Sequence, residues 1–503
     1  MAGWRTFQRG HASLPAAFPS PVSRTWKRPI AGLGALVSVA LLALLFSSCV
    51  ARDGSSGVAL EPVNLGSAAQ ASTSTANPDQ PSLLDSALAK VQDAAQGLTA
   101  SRSSTGLQPR PLSGDALQEV LPKLGRAEAR LIDIYRLISQ GQHRQALAQA
   151  DALVRDHPNF HLAHLVHGDL LSLQMRPVAQ IGDVPDTKAR AALDQLNVLR
   201  EESRRRLRAL TERPPEGSVP TQFLTLSSQS RHAIAVDASR SRLYLFENQT
   251  PAAGNGTLAG APKLKLIGDY YISVGLQGIE KQLEGDKRTP LGVYYITSSL
   301  NPDSLPDLYG VGALPINYPN PLDVQRGKTG SGIWLHGTPR EQFVRAPQAS
   351  DGCVVLSNPD LERLLSTVQI RTTPVVIAPE LQWVRPEVLD TERRQFEATL
   401  QAWRDTKGQG DLQKLKGFYS GRFQNQGRNL AQWWPKVEGE VRSASGQRGL
   451  ELKDLSMLQW RDSQDTMVVT FGEVAMGQSR GTTKLQDWAR EDDQWESSFV
   501  GAP

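Results

Sequence analysis

The stretch GIWLHGTPREQFVRAPQASDGCVVLSN, residues 332–358, contains two short apolar runs joined by a polar segment. The first run ends in His336, and the second begins directly after Cys353. Short apolar runs bounded by glycine, proline or asparagine are typical of strands. The glycine and proline residues between the two runs are typical of a surface loop. The stretch therefore predicts two strands whose ends meet at one rim of a β-sandwich, with a histidine and a thiol at that rim.

Cys353 is one of only two cysteines in this chain of 503 residues, the other being Cys49. The thiolate is the reactive form of cysteine, and a neighbouring imidazole activates the thiol by accepting its proton. These residue types predict a nucleophile at Cys353 and a general base at His336. The alternative is a small buried core residue, since free cysteine is often buried.

Three neighbours of this pair favour a catalytic turn. Gly352 permits a sharp bend in which successive backbone N–H groups point the same way and form an oxyanion hole. Ser350 can hydrogen-bond within this turn or towards the thiolate. The backbone carbonyl of Gly337 is the local candidate to orient the second ring nitrogen of His336.

The sequence around this stretch, residues 222–379, consists of short β-rich runs separated by turn residues. HAIAVDASRSRLYLFE predicts a hairpin that turns around residues 239–241, and NPDLERLLSTV predicts a helix after the cysteine. This part of the chain is therefore expected to be a mostly β domain.

The pattern H…S-x-G-C-V-x-L-x-N resembles the catalytic signature of the L,D-transpeptidase family. The residues at the matching positions are His336, Ser350, Gly352, Cys353 and Asn358. Upstream, GDKRTPLGVYYI (285–296) matches the G-x-x-x-T-P-x-G-x-Y-x-I strand of that family. The resemblance covers roughly residues 231–379 and implies a β-sandwich with its active site at the histidine and the cysteine.

The resemblance also implies a substrate and a reaction. Cys353 would attack the third residue of a peptidoglycan tetrapeptide stem at its L-centre carbonyl, release the terminal D-alanine and form a thioester. His336 would act first as base and then as acid, and an amine from a second stem would resolve the thioester into a 3→3 crosslink. The family uses no metal or cofactor, and carbapenems are expected to acylate the same thiol. Asn358 is expected to contact substrate.

Two positions differ from the family pattern. Family members often have histidine where this chain has Asp351, and arginine where it has Val355. The arginine commonly holds substrate or the thioester oxygen. Asp351 places negative charge beside the thiolate, which opposes a lowered thiol pKa. We therefore expect Asp351 to face the ammonium group of the acceptor or another cation, and an Asp351→Ala variant that reacts at the wild-type rate would contradict this expectation.

The first 50 residues have the composition of a signal or anchor segment. Residues 1–29 carry five basic and no acidic side chains, and residues 30–50 carry no charge at all. This order predicts that the rest of the chain lies outside the cytoplasmic membrane, on the periplasmic side of a bacterial envelope. LLFSSC, ending in Cys49, resembles a lipobox and predicts lipidation of Cys49, whereas the alternative is an uncleaved anchor. Residues 51–113 are rich in Ser, Ala, Gly and Pro and predict a flexible tether.

Residues 114–212 have helical apolar spacing and resemble a tetratricopeptide unit. The positions that carry this resemblance are Gly141, Ala146 and Pro158. His161, His164 and His167 share one arc of a predicted helix opposite its apolar arc, which favours a solvated face over a metal site. We expect this helical region to dock partners or to act as a spacer.

Residues 391–503 begin with amphipathic helices and continue with alternating β-rich runs, which predicts an α+β cone. Lys484, Leu485, Trp488, Arg490 and Trp495 match the K-x-L-x-W-x-R…W pattern of the SnoaL-like, nuclear-transport-factor-like family. In that family the cone is often a binding or dimerisation module. We therefore expect this domain to bind protein partners or wall material.

Three functions remain open from the sequence. The first is an L,D-transpeptidase, the second is a stem-peptide hydrolase or carboxypeptidase on the same scaffold, and the third is a wall-binding scaffold lipoprotein. A net charge of +4, without a basic stripe interleaved with aromatic residues, gives no support to nucleic-acid binding. The joint presence of His336, Ser350, Gly352 and Cys353 favours an enzyme, because binding alone does not need a thiol.

Overall fold

The structure, a computed structural model, describes residues 120–183, 192–251, 260–444, 449–478 and 480–501. These residues all fall in one compact unit, Pro78–Pro503. The predicted lipobox with Cys49, the predicted anchor (1–50) and the predicted tether (51–113) lie outside the described residues. Within the described residues, no helix has both the length and the apolar character needed to span a bilayer.

The described helices are numbered in chain order. They are α1 Arg126–Ser139, α2 His143–Asp156, α3 His161–Ser172, α4 Leu193–Thr211, α5 Pro321–Gln325, α6 Asn358–Thr367, α7 Asp390–Gln409, α8 Leu412–Lys416 and α9 Leu430–Ala444. The helical character predicted for residues 114–212 is therefore confirmed where the structure describes it, and so is the helix predicted after the cysteine. The likeness of the first region to a tetratricopeptide unit stays a prediction.

The described strands are numbered in the same way. They are β1 Val219–Pro220, β2 Phe223–Thr225, β3 His232–Asp237, β4 Arg242–Asn248, β5 Leu264–Tyr271, β6 Val274–Gly275, β7 Gly292–Tyr295, β8 Ala313–Pro315, β9 Trp334–His336, β10 Gln348–Ser350, β11 Val354–Val355, β12 Pro374–Ala378, β13 Trp383–Val384, β14 Gln424–Asn425, β15 Arg428–Asn429, β16 Leu450–Arg461, β17 Asp465–Ala475, β18 Thr482–Glu491 and β19 Gln494–Gly501.

Helices α1 to α4 surround a common apolar core. Gly141 ends the turn between α1 and α2 with φ +71°, a conformation that glycine adopts at little cost. The buried members of this core include Leu131, Leu153, Phe160 and Leu162. The helical region thus has its own core, which also includes Phe343 from a loop of the β region.

Two sheets form the central β region. One has the strand order β5-β4-β3-β12-β7, and the other has the order β11-β9-β8. Side chains from both sheets and from α6 fill the core between them, among them Ile234, Leu335, Val354 and Leu361. The predicted hairpin around residues 239–241 is present as the antiparallel pair β3–β4. The mostly β texture predicted for this region is confirmed.

The alternation of side chains along β3 explains why the C-terminal sheet packs on the outer face of the larger sheet. Ile234 and Val236 point into the core between the two sheets, whereas Ala233 and Ala235 point the other way. This outer face packs against apolar side chains of β16 to β19, including Leu458. The C-terminal sheet has the order β19-β18-β17-β16-β2, and α7 and α9 cover its far face. The likeness of this α+β domain to the SnoaL-like family stays a prediction.

The domain boundary placed at residue 222 needs a correction. Strand β2, Phe223–Thr225, pairs with β16 of the C-terminal sheet and not with the catalytic sheets. Its three residues are apolar or β-branched and are buried. Because buried backbone N–H and C=O groups need hydrogen-bond partners, the strand pairs with the neighbouring sheet. No periodicity in such a short run shows which of two adjoining sheets it joins.

Candidate active site

Strands β9 and β11 run parallel, with His336 as the last residue of β9 and Cys353 directly before the first residue of β11. Val354 pairs with Leu335, and Val355 pairs with His336. Leu335 and Val354 both point into the core between the sheets. His336 follows Leu335 and Cys353 precedes Val354, so each adjoins one member of this pair. The strands lie about 4.8 Å apart, and the offset of two residues adds about 6.6 Å along the strand.

The environment of His336 fixes its tautomer and its charge. Its Nδ1 lies 2.7 Å from the carbonyl oxygen of Gly337. A carbonyl only accepts hydrogen bonds, so Nδ1 carries the proton and Nε2 keeps a free lone pair. The ring is 3% exposed and packs edge-on against Tyr309, with 5.0 Å between centroids. Burial, with a smaller effect from the charge of Arg345, lowers the pKa of His336 to about 4. At neutral pH the residue is therefore a neutral base, with Gly337 as its orienting partner.

The thiol of Cys353 is also neutral in this structure. Its Sγ lies 3.5 Å from the carbonyl oxygen of Gly332, to which it donates. Burial raises the pKa of Cys353, and a backbone hydrogen bond from Trp334 and the charge of Arg345 oppose this rise. Among the described contacts, no hydrogen bond joins Cys353 to His336. The pair therefore rests as neutral thiol and neutral imidazole.

The turn before Cys353 is built as the sequence predicts, around Gly352 and Ser350. Gly352 has φ +123°, and a Cβ there would lie 2.7 Å from the carbonyl oxygen of Arg288. Ser350 Oγ donates to the carbonyl of Cys353 at 2.6 Å and accepts from the Gly352 amide at 3.1 Å. Thr289 Oγ1 donates to the carbonyl of Gly352 at 2.9 Å. The Gly352 amide is thus engaged within the turn, and its service in an oxyanion hole stays a prediction.

Asn358 lies behind the site and braces two loops. Its Oδ1 accepts from the amides of Thr338 at 3.0 Å and Val311 at 3.3 Å. Its Nδ2 donates to the carbonyl of Thr338 at 2.9 Å. The whole carboxamide is therefore used by backbone groups next to Gly337, the orienting partner of His336. Contact between Asn358 and substrate stays a prediction.

Asp351 projects from the turn beside the nucleophile. Its side chain is 86% exposed, and its Oδ1 lies 3.7 Å from Nζ of Lys287. The cation that faces Asp351 in this structure is thus Lys287, across an exposed ion pair of low strength. Its charge nevertheless acts to raise the pKa of Cys353.

The structure brings two residues to the site that the sequence patterns did not predict. Tyr309 packs on both Trp334 and His336, at centroid distances of 4.8 and 5.0 Å. Arg345 acts electrostatically on both His336 and Cys353. Arg345 comes from a loop and Tyr309 ends a short 3-10 helix, and neither segment has a periodic pattern that could have revealed it.

The histidines of the helical region lie away from this rim. His161 and His164 are exposed on α3, and Nε2 of His164 lies 2.9 Å from the carbonyl of Pro158. In the described part of the chain, no three His, Cys, Asp or Glu side chains are grouped to hold a metal ion.

Comparisons with known proteins place the site in a family context. No curated protein matches the chain. The structure of Bdellovibrio bacteriovorus Bd1075 is 25% identical, with 57% of this chain and 98% of that chain covered and a TM-score of 0.46. The helical cell shape determining protein Pgp2 from Campylobacter jejuni is 19% identical, with 54% and 91% covered and a TM-score of 0.42. No functional conclusion rests on these two likenesses. The segment that contains His336 and Cys353 matches the YkuD family, described as the L,D-transpeptidase catalytic domain, over residues 231–377.

Proposed function

We propose that this protein is a peptidoglycan L,D-transpeptidase with Cys353 as nucleophile and His336 as general base. The match of residues 231–377 supports a function of L,D-transpeptidase type on peptidoglycan. The parallel pairing of β9 with β11 supports these residue roles, because it holds the segments of His336 and Cys353 side by side. The fixed tautomer of His336 adds a free Nε2 lone pair as the proton acceptor.

In the first half-reaction the thiol attacks the L-centre carbonyl of the third residue in a tetrapeptide stem. The Sγ–H proton passes to Nε2 of His336 as the Sγ–C bond forms, so that sulfur attacks as an incipient thiolate. The C–N bond to the terminal D-alanine then breaks, and the imidazolium returns the proton to the departing amine. The products are free D-alanine, a thioester on Cys353 and a neutral His336.

In the second half-reaction an amine from a neighbouring stem attacks the thioester. Its proton passes to His336, the new amide C–N bond forms, and the C–S bond breaks to regenerate the thiol. Burial lowers the pKa of His336 to about 4, so the imidazole is unprotonated at neutral pH and can accept this proton. The product is a 3→3 crosslink, and every proton is returned.

Water is the second candidate acceptor. Asp351 beside the nucleophile is 86% exposed, so solvent reaches this side of the turn. If water attacks the thioester, the enzyme trims stems as an L,D-carboxypeptidase and leaves a tripeptide. The same two residues and the same thioester serve both outcomes.

The location and partners of the protein are part of the proposal. The basic flank and apolar run at the start of the chain support a membrane-tethered protein on the periplasmic side of the envelope, held through Cys49 or an anchor. This location puts the site next to peptidoglycan. The helical region and the C-terminal α+β domain would bind protein partners or wall material.

Defined muropeptides test the reaction. The purified protein is incubated with a disaccharide-tetrapeptide, and the products are separated and weighed by mass spectrometry. Transpeptidation gives a dimer that has lost one D-alanine, whereas hydrolysis gives a disaccharide-tripeptide. A Cys353→Ala variant serves as the control and should give neither. Unchanged substrate with folded wild-type protein would favour the scaffold function instead.

A further inference from the structure

The loop between β9 and β10 leaves the catalytic sheets and docks on the helical region. The ring of Phe343 stacks on Phe160 at 4.5 Å between centroids and an angle of 29°, and it lies 5.0 Å from the ring of His157. Phe343 is 7% exposed and belongs to the core of the helices. Its amide donates to the carbonyl of Asn159 at 3.2 Å, and Nδ2 of Asn159 donates to the carbonyl of Arg340 at 2.9 Å. The connection between α2 and α3 therefore holds this loop through both packing and hydrogen bonds.

Two residues after this anchor, the same loop delivers Arg345 to the active site. The carbonyl of Arg345 accepts from the hydroxyl of Tyr271 at 3.1 Å, which fixes its backbone. Its Nη2 donates to the carbonyl of Leu308 at 3.4 Å. Leu308 precedes Tyr309, whose ring covers His336 at 5.0 Å. The half-buried guanidinium thus lies at the edge of the catalytic pair.

The charges that act on the thiol differ in how well they are compensated. Arg345 and Lys281 lower the pKa of Cys353, and Asp351 raises it. The Lys281 ammonium is 2.8 Å from Asp286, so its charge is largely neutralised. Among the described residues, no carboxylate lies within ion-pair distance of Arg345. Arg345 therefore has a larger effect on the sulfur than Lys281 and forms no ion pair within the described residues, although the charge of Asp351 also acts on it.

The remaining polar groups at this rim do not supply a second cation. His336 is neutral at pH 7 because of its lowered pKa. Tyr309 contributes a ring against His336, and Lys287 lies beside Asp351 at 3.7 Å. Val355 occupies the position from which relatives commonly supply an arginine. The positive charge at this site thus depends on the loop that the helical region holds.

We propose that Arg345 stabilises the negative charge that develops on the Cys353 sulfur, and that Phe343 is the positioning residue through which the helical region sets Arg345 in place. This proposal does not rest on the proposed function, because it concerns the thiol alone. An arginine suits the task because its guanidinium has the highest intrinsic pKa of the ionisable side chains, although burial lowers the pKa of Arg345 from its usual value. The helical region then takes part in activity, in addition to any partner that it binds.

Alkylation by iodoacetamide, a neutral reagent, tests the effect on the sulfur without any peptidoglycan substrate. The rate of modification at Cys353 is followed from pH 6 to 11 in the full-length protein, by mass spectrometry of the peptide that carries this residue. Because only the thiolate reacts, the midpoint of the profile reports the pKa of Cys353. Arg345→Gln should raise the midpoint and slow alkylation at neutral pH roughly 3-fold to 10-fold, since one pKa unit corresponds to a factor of ten.

Arg340→Gln is the matched control, because Arg340 lies in the same loop with a side chain that is 92% exposed. It should leave the midpoint unchanged. An Arg345→Gln midpoint equal to that of wild type would overturn the proposal. The proposal would also be overturned if Arg345→Gln weakened the binding of a stem peptide but left alkylation unchanged, because Arg345 would then be a substrate ligand.

A separate set of variants tests the positioning role of Phe343. Phe343→Ala should raise the midpoint of the alkylation profile as Arg345→Gln does. Phe343→Leu should restore most of the wild-type value. The midpoint of the double variant Phe343→Ala/Arg345→Gln should shift no further than that of Arg345→Gln alone. Near-ultraviolet circular dichroism checks that each variant is folded. If Phe343→Ala does not fold, Asn159→Ala replaces it, because it removes the hydrogen bond to the carbonyl of Arg340. Additive shifts in the double variant would overturn the positioning role.

Discussion

At the scale of single residues, Cys353 and His336 do not form a thiolate–imidazolium ion pair in this structure. The carbonyl of Gly337 keeps the proton of His336 on Nδ1, and burial keeps the ring neutral. Burial also keeps the Cys353 thiol protonated. In the proposed mechanism, proton transfer to His336 would accompany attack by the sulfur, as in general-base catalysis. The sequence predicted both residues and the Gly337 carbonyl, because these partners are local. The sequence did not predict Arg345 and Tyr309, because only tertiary packing brings them close to His336 and Cys353.

The low pKa of His336 makes a first prediction about acylation by a carbapenem. The second-order rate of acylation should stay near its plateau down to about pH 5 and fall as pH passes through about 4, where the imidazole becomes protonated. His336→Gln should lower the rate by about 10²–10⁴-fold at pH 7. Stopped-flow absorbance of the β-lactam measures both quantities. An acid limb near pH 6.5 would show that the imidazole is not buried and neutral as described.

The same residue makes a prediction about stability. The unfolded chain takes up a proton on this imidazole below about pH 6.5, whereas the folded protein resists it until about pH 4. The unfolded state therefore binds more protons in this window, and the folded state loses stability as pH falls through it. The loss amounts to roughly 3 kcal/mol across the window. Urea unfolding at several pH values should show a smaller decline for His336→Gln than for wild type, and parallel declines would contradict the assignment.

At the scale of elements, the turn before Cys353 and the strands on either side set the geometry. The turn from residues 350 to 353 relies on a glycine with φ +123° and on two hydrogen bonds of Ser350. The sequence predicted this turn and both strands, since their residues adjoin each other in the chain. It included Phe223–Thr225 in the central β domain, whereas this strand pairs with β16 of the C-terminal sheet, because three residues show no periodicity that would tell which sheet they join.

Gly352→Ala tests the turn. The new Cβ would lie 2.7 Å from the carbonyl of Arg288 and would impose a φ that alanine rarely adopts. We expect a loss of about 1–3 kcal/mol in the free energy of unfolding and about 100-fold or more in acylation, because the sulfur is displaced. Gly327→Ala is the matched control, with φ +73° and open space around the new Cβ. It should lose some stability but keep its activity. Equal activity losses in both variants would contradict a specific role of the turn.

At the scale of the whole molecule, the helical region and the catalytic sheets share a buried cluster of charges. Glu128 on α1 lies 2.8 Å from Arg242 on β4 and 2.9 Å from Arg206 on α4. Arg242 also binds Asp269 at 2.6 Å. Burial alone would raise the pKa of Glu128, but the two arginines hold it below its ordinary value. The sequence predicted each region but not this cluster, because the four residues lie far apart in the chain and have no shared pattern.

Glu128→Gln tests the cluster. Loss of this carboxylate leaves two buried guanidinium groups short of negative charge, so we expect a cost of about 3–5 kcal/mol in the free energy of unfolding. Glu201→Gln on α4 is the matched control, because Glu201 is 43% exposed and its ion pairs lie at the surface. Its cost should stay below about 1 kcal/mol. Urea unfolding of the purified protein measures both, and similar costs would contradict a structural role of the buried cluster.

The claim that Cys353 is the acylated nucleophile is tested most directly by weighing the quenched enzyme. The protein is mixed with a disaccharide-tetrapeptide without added acceptor, stopped with acid and analysed by intact mass and peptide mapping. We expect an adduct with the mass of the substrate acyl group, less D-alanine, on the peptide that contains Cys353. The adduct should be absent in Cys353→Ala and strongly delayed in His336→Gln. Release of D-alanine by the Cys353→Ala variant at the wild-type rate would contradict the mechanism.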